Sequence, residues 1–208
     1  SDSDWDDFEV RMAMPFAFKY FGESVDSITI ADDGLYFTTE FDDYLSPHGQ
    51  DAVARGADMS PVSYRIDGTG SNRILKVQWP NITFVDTKDG FVGDFVNYQV
   101  WMYEGTNVIE FHIGSSFVSE GALAIIELLP YMQGTQADKG IAITGDPANP
   151  TPIYAPAMPT KLNANPSVNT IFVFTPGFPN SVNEVEANRV SLYPIPANTT
   201  LHIETEEA

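Results

Sequence analysis

The chain has 208 residues, of which 43% are hydrophobic, and its 29 acidic and 10 basic side chains give a formal net charge of −19. This length and apolar content suffice for a buried core and argue against a disordered chain. The negative charge argues against nucleic acid and anionic lipid as partners, because both attract a positive protein surface. The absence of cysteine excludes disulfides, thiol catalysis and cysteine–zinc sites. No apolar run approaches the ~20 residues of a membrane span, so no membrane insertion is expected.

Residues 1–9 form a predicted acidic N-terminal arm, whose carboxylates are Asp2, Asp4, Asp6, Asp7 and Glu9. A solvated arm is the simpler interpretation. Calcium binding is the alternative, but the segment lacks a glycine-bearing ligand loop of the kind that calcium sites use.

From Phe8 onward, short runs of β-branched and aromatic residues are separated by Gly, Pro, Asp and Asn, which predicts β-strands. The predicted strands are residues 8–14, 16–21, 24–30, 34–39, 62–66, 73–79, 95–103, 107–113, 122–128, 140–144 and 170–175. Residues 50–58 could form a short turn or helix. Residues 122–129 have helical propensity, but their length and their position between Gly121 and Pro130 favour a strand. Many short strands with Gly and Pro turns predict an all-β fold, an antiparallel two-sheet β-sandwich of the jelly-roll type.

Alternation of apolar and polar residues is clearest in residues 73–79. Leu75, Val77 and Trp79 are expected on one face, and Pro80 is expected to end the strand because it lacks an N–H donor. The neighbouring strands 97–103 and 107–113 are predicted to form a hairpin around the turn at 104–107. The residues Asp32-Asp33-Gly34 are predicted to form a tight turn rather than a metal site.

The sandwich domain is predicted to span residues 10–176. Within it, residues 146–169 are rich in proline and without periodicity, so they are expected to run extended around the sandwich before the last core strand. Residues 177–208 are predicted to be a linker followed by a separate C-terminal stretch.

The best metal candidates are Asp86, Asp89 and Asp94, which alternate with glycines in a loop between two strands. Calcium takes several oxygen ligands from a bendable loop, so calcium is the ion expected. The spacing is not that of an EF-hand, and an ordinary acidic loop is the alternative interpretation.

Aromatic side chains could instead bind glycans by stacking, and the candidates are Trp5, Tyr44, Trp101 and Tyr131. A tryptophan in a hairpin strand, such as Trp101, is more often part of a core than an exposed platform.

No catalytic motif is found, so an enzyme is not expected. The three histidines, His48, His112 and His202, lack the spacing of a helical metal site, and a nucleophile elbow and a phosphate loop are both absent. A hydrolase would require a cleft in which carboxyls of perturbed pKa converge.

The C-terminal stretch carries the sequence Leu-Tyr-Pro-Ile-Pro-Ala-Asn at 192–198, followed by the strand-like residues 201–203. It resembles the opening of the C-terminal sorting domain of type IX secretion cargo, whose usual pattern is Tyr-Pro-Asn-Pro-Ala, with Ile195 as the departure. The matching residues are Tyr193, Pro194, Pro196, Ala197 and Asn198. The resemblance implies export by the type IX machinery to the cell surface or medium. Only the first strand of that domain is expected here, so the tail would be a remnant or would need a partner to order it.

The body of the chain is similar to β-sandwich modules of type IX-secreted surface proteins, and more faintly to nidogen-type extracellular domains. The residues that carry this resemblance are 15–22, 30–37, 73–79, 98–105 and 107–111. Such modules are generally non-catalytic and occur in adhesins, cell-surface proteins and multidomain enzymes. The triplet Asp26-Ser27-Ile28 matches the short sequence that is O-glycosylated in bacteria with this secretion route, which makes Ser27 a glycosylation candidate.

These observations predict a secreted, non-catalytic, structural or adhesive protein of the cell surface or extracellular space. Self-assembly by strand exchange is expected to involve the terminal segments, since sandwich edges accept strands. The alternative is a carbohydrate-binding module, with calcium as an assisting ion.

Overall fold

The computed structural model describes residues 5–37, 43–56, 59–126, 128–135, 139–154 and 161–177, together with the backbone of 190–194 and 200–205. Within these ranges the first strands are β1 (Glu9–Tyr20), β2 (Glu23–Ala31), β3 (Leu35–Tyr36), β4 (Tyr44–Ser46), β5 (Ala52–Ala54), β6 (Ser63–Asp67), β7 (Ile74–Phe84), β8 (Val96–Tyr103) and β9 (Ile109–Ile113). A one-turn helix follows, α1 (Glu120–Leu123). The remaining strands are β10 (Tyr131–Gln133), β11 (Gly140–Asp146), β12 (Asn149–Tyr154), β13 (Ile171–Thr175), β14 (Val190–Pro194) and β15 (Thr200–Thr205).

The strands form two sheets that pack face to face, which confirms the predicted all-β sandwich. Sheet A has the order β1-β2-β3-β4-β10-β11-β12. Sheet B has the order β14-β15-β13-β9-β8-β7-β5, with β6 also paired to β7. The pairing is antiparallel except between β13 and β15, which run parallel. None of the helices in the described ranges is long and apolar enough to cross a membrane.

The core lies between the sheets and is built by alternation along the strands. In β7 the side chains of Leu75, Val77 and Trp79 are fully buried, as predicted, and in β8 those of Val100 and Met102 are also fully buried. Sheet A contributes its own apolar face, including Ile28, Leu35 and Leu45. Removing these side chains from water is the main source of the stability of the fold.

Pro80 does not end β7, and the prediction that it would was wrong. The strand continues to Phe84 through a bulge, where the register with β8 shifts between Trp79 and Ile82. Asn81 follows with a φ of 51°, and its N–H donates to Asn97 Oδ1 at 2.7 Å instead of to the ladder. A bulge takes the backbone out of the hydrogen-bond pattern, so a residue without an N–H is tolerated there.

The described residues of the segment 122–128 do not form the predicted strand. Helix α1 occupies the start of this segment, and the Ser119 side chain caps it by accepting from the Ala122 N–H. Asp94 accepts hydrogen bonds from the Ser119 N–H and Oγ, which fixes the cap. The stabilisation of the helix N-terminus by the Ser119 cap prevails over the strand propensity of the apolar residues that follow.

Residues 50–58 were predicted to be a turn or helix, but they contain β5, which pairs with the end of β7. The short strands β4 and β10 were not predicted either. A strand of two or three residues is too short to show a recognisable alternation of apolar and polar residues. Its formation also depends on pairing with strands that are distant in the sequence.

Strand β12 lies within the proline-rich segment 146–169 and pairs with β11 at the edge of sheet A. Its prolines, Pro150 and Pro152, are two residues apart, so their missing N–H positions lie on one side of the strand. An edge strand tolerates this when that side faces solvent.

Candidate functional site

A turn between β2 and β3 places two carboxyls, Asp32 and Asp33, at one end of the sandwich. The Ala31 N–H donates to the Gly34 carbonyl at 3.0 Å, which closes the turn. Gly34 allows it because a Cβ at this position would lie 2.0 Å from the Leu45 carbonyl oxygen. The tight turn predicted at Asp32–Gly34 is therefore present, and its glycine is required by the close approach of β4.

Side chains from three other strands hold the backbone of this turn. Trp79 Nε1 donates to the Ala31 carbonyl at 2.8 Å, and the Tyr98 hydroxyl donates to the Asp32 carbonyl at 3.3 Å. Ser46 Oγ donates to the Asp33 carbonyl at 2.6 Å. The backbone carbonyls of Ala31, Asp32 and Asp33 thus each accept a hydrogen bond from a side chain. This turn, here called the acidic turn, therefore has a fixed position relative to both sheets.

His48 extends this network into the loop after β4. Its Nδ1 accepts the Gln50 N–H at 3.0 Å, so the ring proton must lie on Nε2, which is 2.8 Å from the Tyr98 hydroxyl. Burial lowers the pKa of His48 to about 3, and the ring is therefore neutral. This tautomer fixes the direction of the series of hydrogen bonds. The Gln50 N–H donates to His48, the His48 ring donates to the Tyr98 hydroxyl, and that hydroxyl donates to the Asp32 carbonyl of the turn.

Around the turn lies a pocket of about 450 Å³, here called the acidic pocket. It combines carboxyl groups from the N-terminal arm, the β2–β3 turn and the β4–β5 loop with two tyrosine rings. These residues are Asp7, Glu9, Asp32, Asp33, Asp51, Tyr36 and Tyr131. No lysine or arginine lines the pocket among the described residues. It can therefore hold a cation or a cationic group and will repel anions.

Three carboxyls of the acidic pocket, those of Asp32, Asp33 and Asp51, have raised pKa values. Burial, and then repulsion by Asp33, raises the pKa of Asp32 to about 7. Burial also raises the pKa of Asp33 and of Asp51. The Asp33 Oδ2 accepts from the Tyr36 hydroxyl at 2.5 Å, while Oδ1 is buried without a hydrogen-bond partner in the described part of the chain.

The convergence of perturbed carboxyls is the feature that the sequence analysis required of a hydrolase. Convergent carboxyls with raised pKa values do not by themselves assign a reaction, because acidic clusters also shift one another's pKa values where there is no catalysis.

Three carboxylates, those of Asp6, Asp7 and Asp51, come within 4.8 Å of one another and could hold a divalent cation. The predicted calcium ligands Asp86, Asp89 and Asp94 form no such group among the described residues. Asp86 and Asp89 are exposed, whereas Asp94 is buried and binds Ser119. Sequence reasoning missed Asp51 because its proximity to the N-terminal arm depends on the fold.

Replacing Asp32 by asparagine should stabilise the protein at pH 8 and leave it almost unchanged at pH 4. In the folded state Asp32 has a raised pKa, about 7 against an ordinary 3.8. The native state therefore binds this proton more tightly, and stability is lost as pH rises from about 4 to 7. After allowance for solvent screening, the gain in the free energy of unfolding at pH 8 is about 2 kcal/mol.

Urea denaturation of the wild type and Asp32→Asn at both pH values measures this difference. The exposed Asp89→Asn is the matched control, with no expected gain at either pH. Equal effects of Asp32→Asn at pH 4 and pH 8 would contradict the raised pKa.

The four predicted glycan-stacking residues have different environments. Trp5 is 4% exposed, and its Nε1 donates to the Ser60 carbonyl, so it belongs to the core. Tyr44 stacks on Tyr36 and meets the edge of Tyr131, with ring centroids 5.3 and 4.9 Å apart. Of the predicted residues, Tyr131 is the one that lines the acidic pocket.

Trp101 lies on the outer face of sheet B, but it offers no open ring face. Lys76 Nζ lies 3.5 Å from its ring centroid, and the His112 ring stacks on it at 3.9 Å. Two groups this close to one centroid must lie on opposite faces. Both faces are therefore covered, and the predicted role of Trp101 as a stacking platform does not fit this geometry.

The candidate glycosylation residue Ser27 lies half-buried in β2, and its Oγ accepts from Arg11 at 2.8 Å. In the predicted sorting motif, Tyr193 and Pro194 are the last residues of β14. Pro196, Ala197 and Asn198 lie outside the described residues. Strand β15 begins directly after them and pairs with both β13 and β14.

A family model described as NIDO related matches residues 2–176. No curated protein and no solved structure matches the chain. The match confirms the faint nidogen-type resemblance read from the sequence, and the resemblance of the C-terminal stretch to a sorting domain remains a prediction. Because the match includes β1 to β13 and the acidic pocket, the chain belongs to the NIDO-related family.

Proposed function

We propose that this chain is a secreted, non-catalytic adhesive module that joins to copies of itself by strand pairing at the β13 edge of sheet B. Membership of the NIDO-related family indicates an extracellular structural or adhesive module. Export by the type IX machinery is part of the proposal and depends on the motif around Tyr193 and Pro194.

The observation that carries the proposal is the pairing of β15 with β13. The family match ends at residue 176, so the hairpin of β14 and β15 is an addition to a module that is complete at β13. Strand β15 runs parallel to β13, from Thr200 opposite Ile171 to Glu204 opposite Thr175. The edge of β13 therefore accepts a strand from outside the family module, through main-chain hydrogen bonds.

The same pairing can be made between two molecules without any new kind of contact. Residues 176–199 connect β13 to β15, which is more than the dozen or so residues that a parallel crossover requires. Main-chain pairing depends little on which chain supplies the strand, so exchange between identical chains conserves the contacts and needs little energy. At a crowded cell surface, the high local concentration favours exchange over pairing within one chain.

A pair of cysteines at paired positions would report which chain supplies β15. The sequence contains no cysteine, so the variant Thr175→Cys with Glu204→Cys can form a single disulfide within one chain, and any other disulfide joins two chains. After oxidation, we expect covalent dimers and larger species on non-reducing gels, increasing with protein concentration. Disulfide-bonded monomers at every concentration would overturn self-assembly while leaving the extracellular assignment intact.

Two controls separate exchange from random cross-linking. The variant Asp146→Cys with Asn149→Cys spans the two ends of one hairpin turn and should give disulfide-bonded monomers only. The single variant Thr175→Cys measures the background of collisional dimers. Light scattering on the unmodified chain over the same concentrations should show the same increase in mass.

A further inference from the structure

The outer face of sheet B has a groove of about 290 Å³ whose lining is rich in side-chain amides. The groove crosses β7, β8, β9 and the start of β13, and its polar lining includes Gln78, Asn97, Gln99, His112, Asn169 and Thr170. We call it the amide groove. Among the described residues, no aspartate, glutamate, lysine or arginine lines it, although the chain carries a net charge of −19; the carboxylate of Glu110 contacts the lining residue His112 from beside the groove at 2.7 Å. The absence of charge limits the kind of ligand that the groove can recognise.

The groove is aligned with the strand register. Gln78 pairs with Gln99, and Gln99 pairs with His112. His112 in turn pairs with Ile171 of β13. Residues in register across a sheet point to the same face, so these four side chains make a straight row perpendicular to the strands.

The amides of this row have fixed orientations. Trp101 Nε1 can only donate, and it lies 2.7 Å from Gln99 Oε1, so the other end of that amide is its NH₂ group. The Gln99 Nε2 donates to Gln78 Oε1 at 3.3 Å, and Gln78 Nε2 donates to Ser63 Oγ at 2.9 Å. In this series of hydrogen bonds, the side-chain amides of Gln78 and Gln99 each use one N–H and one carbonyl lone pair. One N–H and one lone pair therefore remain on each amide for a ligand.

The end of the groove is shaped by the bulge in β7. Asn97 accepts the Asn81 N–H at 2.7 Å, and its Nδ2 donates to the Ser115 carbonyl. Gly114 lies against Asn97, since a Cβ there would be 2.9 Å from the Asn97 Cβ. The lining is thus held in place before any ligand arrives, and bulges often occur next to binding sites for this reason.

We infer that the amide groove binds an uncharged carbohydrate. Sugar hydroxyls both donate and accept hydrogen bonds, which matches amides that each offer one N–H and one lone pair. A peptide strand would gain no main-chain pairing here, because the backbone of these strands is already bonded within the sheet. Acidic glycans are repelled by the net charge of the chain. This inference is independent of strand exchange and goes beyond it.

Native gel electrophoresis in gels that contain a soluble polysaccharide tests the inference on the full chain. The neutral probes are xylan, mannan and mixed-linkage β-glucan, and the acidic probe is polygalacturonate. We expect at least one neutral probe to retard the wild type and polygalacturonate to have no effect. Gln99→Leu should weaken that binding at least tenfold, because it removes both hydrogen-bonding ends of the central amide.

The matched control is Gln133→Leu, the same change at an exposed position of β10 in sheet A, which should bind like the wild type. Tyr131→Ala, in the acidic pocket, should also bind like the wild type. The melting temperatures of all variants establish that they are folded, and Gln78→Leu replaces Gln99→Leu if the latter is not. The inference is overturned if no neutral probe retards the wild type, or if the groove variants bind as tightly as the controls.

Discussion

Replacing Trp79 by alanine should lower the free energy of unfolding by about 4 kcal/mol. The indole is completely buried, and its ring stacks on Tyr98 with centroids 4.9 Å apart. Its Nε1 is also the donor for the Ala31 carbonyl, so truncation leaves a cavity and a buried carbonyl without a partner. Urea denaturation, with a check that the slope of the transition is unchanged, measures the loss.

Two further variants separate the loss of the hydrogen bond from the loss of the buried ring. Trp79→Phe keeps an aromatic ring but removes the N–H, and should cost about 1–3 kcal/mol. Trp101→Ala removes the same side chain from the outer face of the same sheet, where burial is partial, and should cost clearly less than Trp79→Ala. Equal destabilisation of the two alanine variants would contradict the view that full burial and the hydrogen bond to the Ala31 carbonyl make Trp79 the more important of the two side chains.

Replacing Gly34 by alanine should destabilise the protein by on the order of 3 kcal/mol. The added Cβ would lie 2.0 Å from the Leu45 carbonyl oxygen and 3.2 Å from the Ser46 Cα, both of which are backbone atoms. Backbone atoms of a paired strand cannot move aside as a flexible side chain can, so the acidic turn itself must shift. Thermal and urea denaturation measure the cost.

The matched control is Gly93→Ala, since no atom of the described residues outside its chain neighbours lies within 4 Å of a Cβ at that position, and its backbone is not left-handed. It should change stability by no more than about 0.5 kcal/mol. A Gly34→Ala variant as stable as Gly93→Ala would show that the β2–β3 turn can relax, and would remove the argument that the acidic pocket has a fixed geometry.

The two-sheet architecture was predictable because it depends on local alternation. From Leu75 to Trp79 in β7, and along β8, every second residue is apolar, and the burial of these side chains follows directly. The bulge after Trp79 was not predictable in the same way. It depends on an amide from Asn97 that replaces a ladder partner, and this pairing is visible only once both strands are in register.

The candidate sites were less predictable than the fold, for the same reason. Asp7, Asp32 and Asp51 each look like ordinary acidic loop residues in the sequence, and the pocket exists because three separate segments meet. Trp101 was rightly seen as a hairpin residue, but its coverage by Lys76 and His112 depends on both neighbouring strands. Composition indicates that carboxylates are abundant, and only tertiary structure decides which of them converge.

The order of strands in sheet A has a consequence for how the chain folds. Strand β4 (Tyr44–Ser46) pairs with β10 (Tyr131–Gln133), and the residues between them form β5 to β9 and α1. The pairing of β4 with β10 therefore closes a large loop, and the entropy of that loop is lost before the pairing stabilises it. Folding should therefore be slow for a chain of this size. A chain that has emerged only as far as β9 would expose the unpaired edge of β4, which is a state prone to aggregation until β10 arrives.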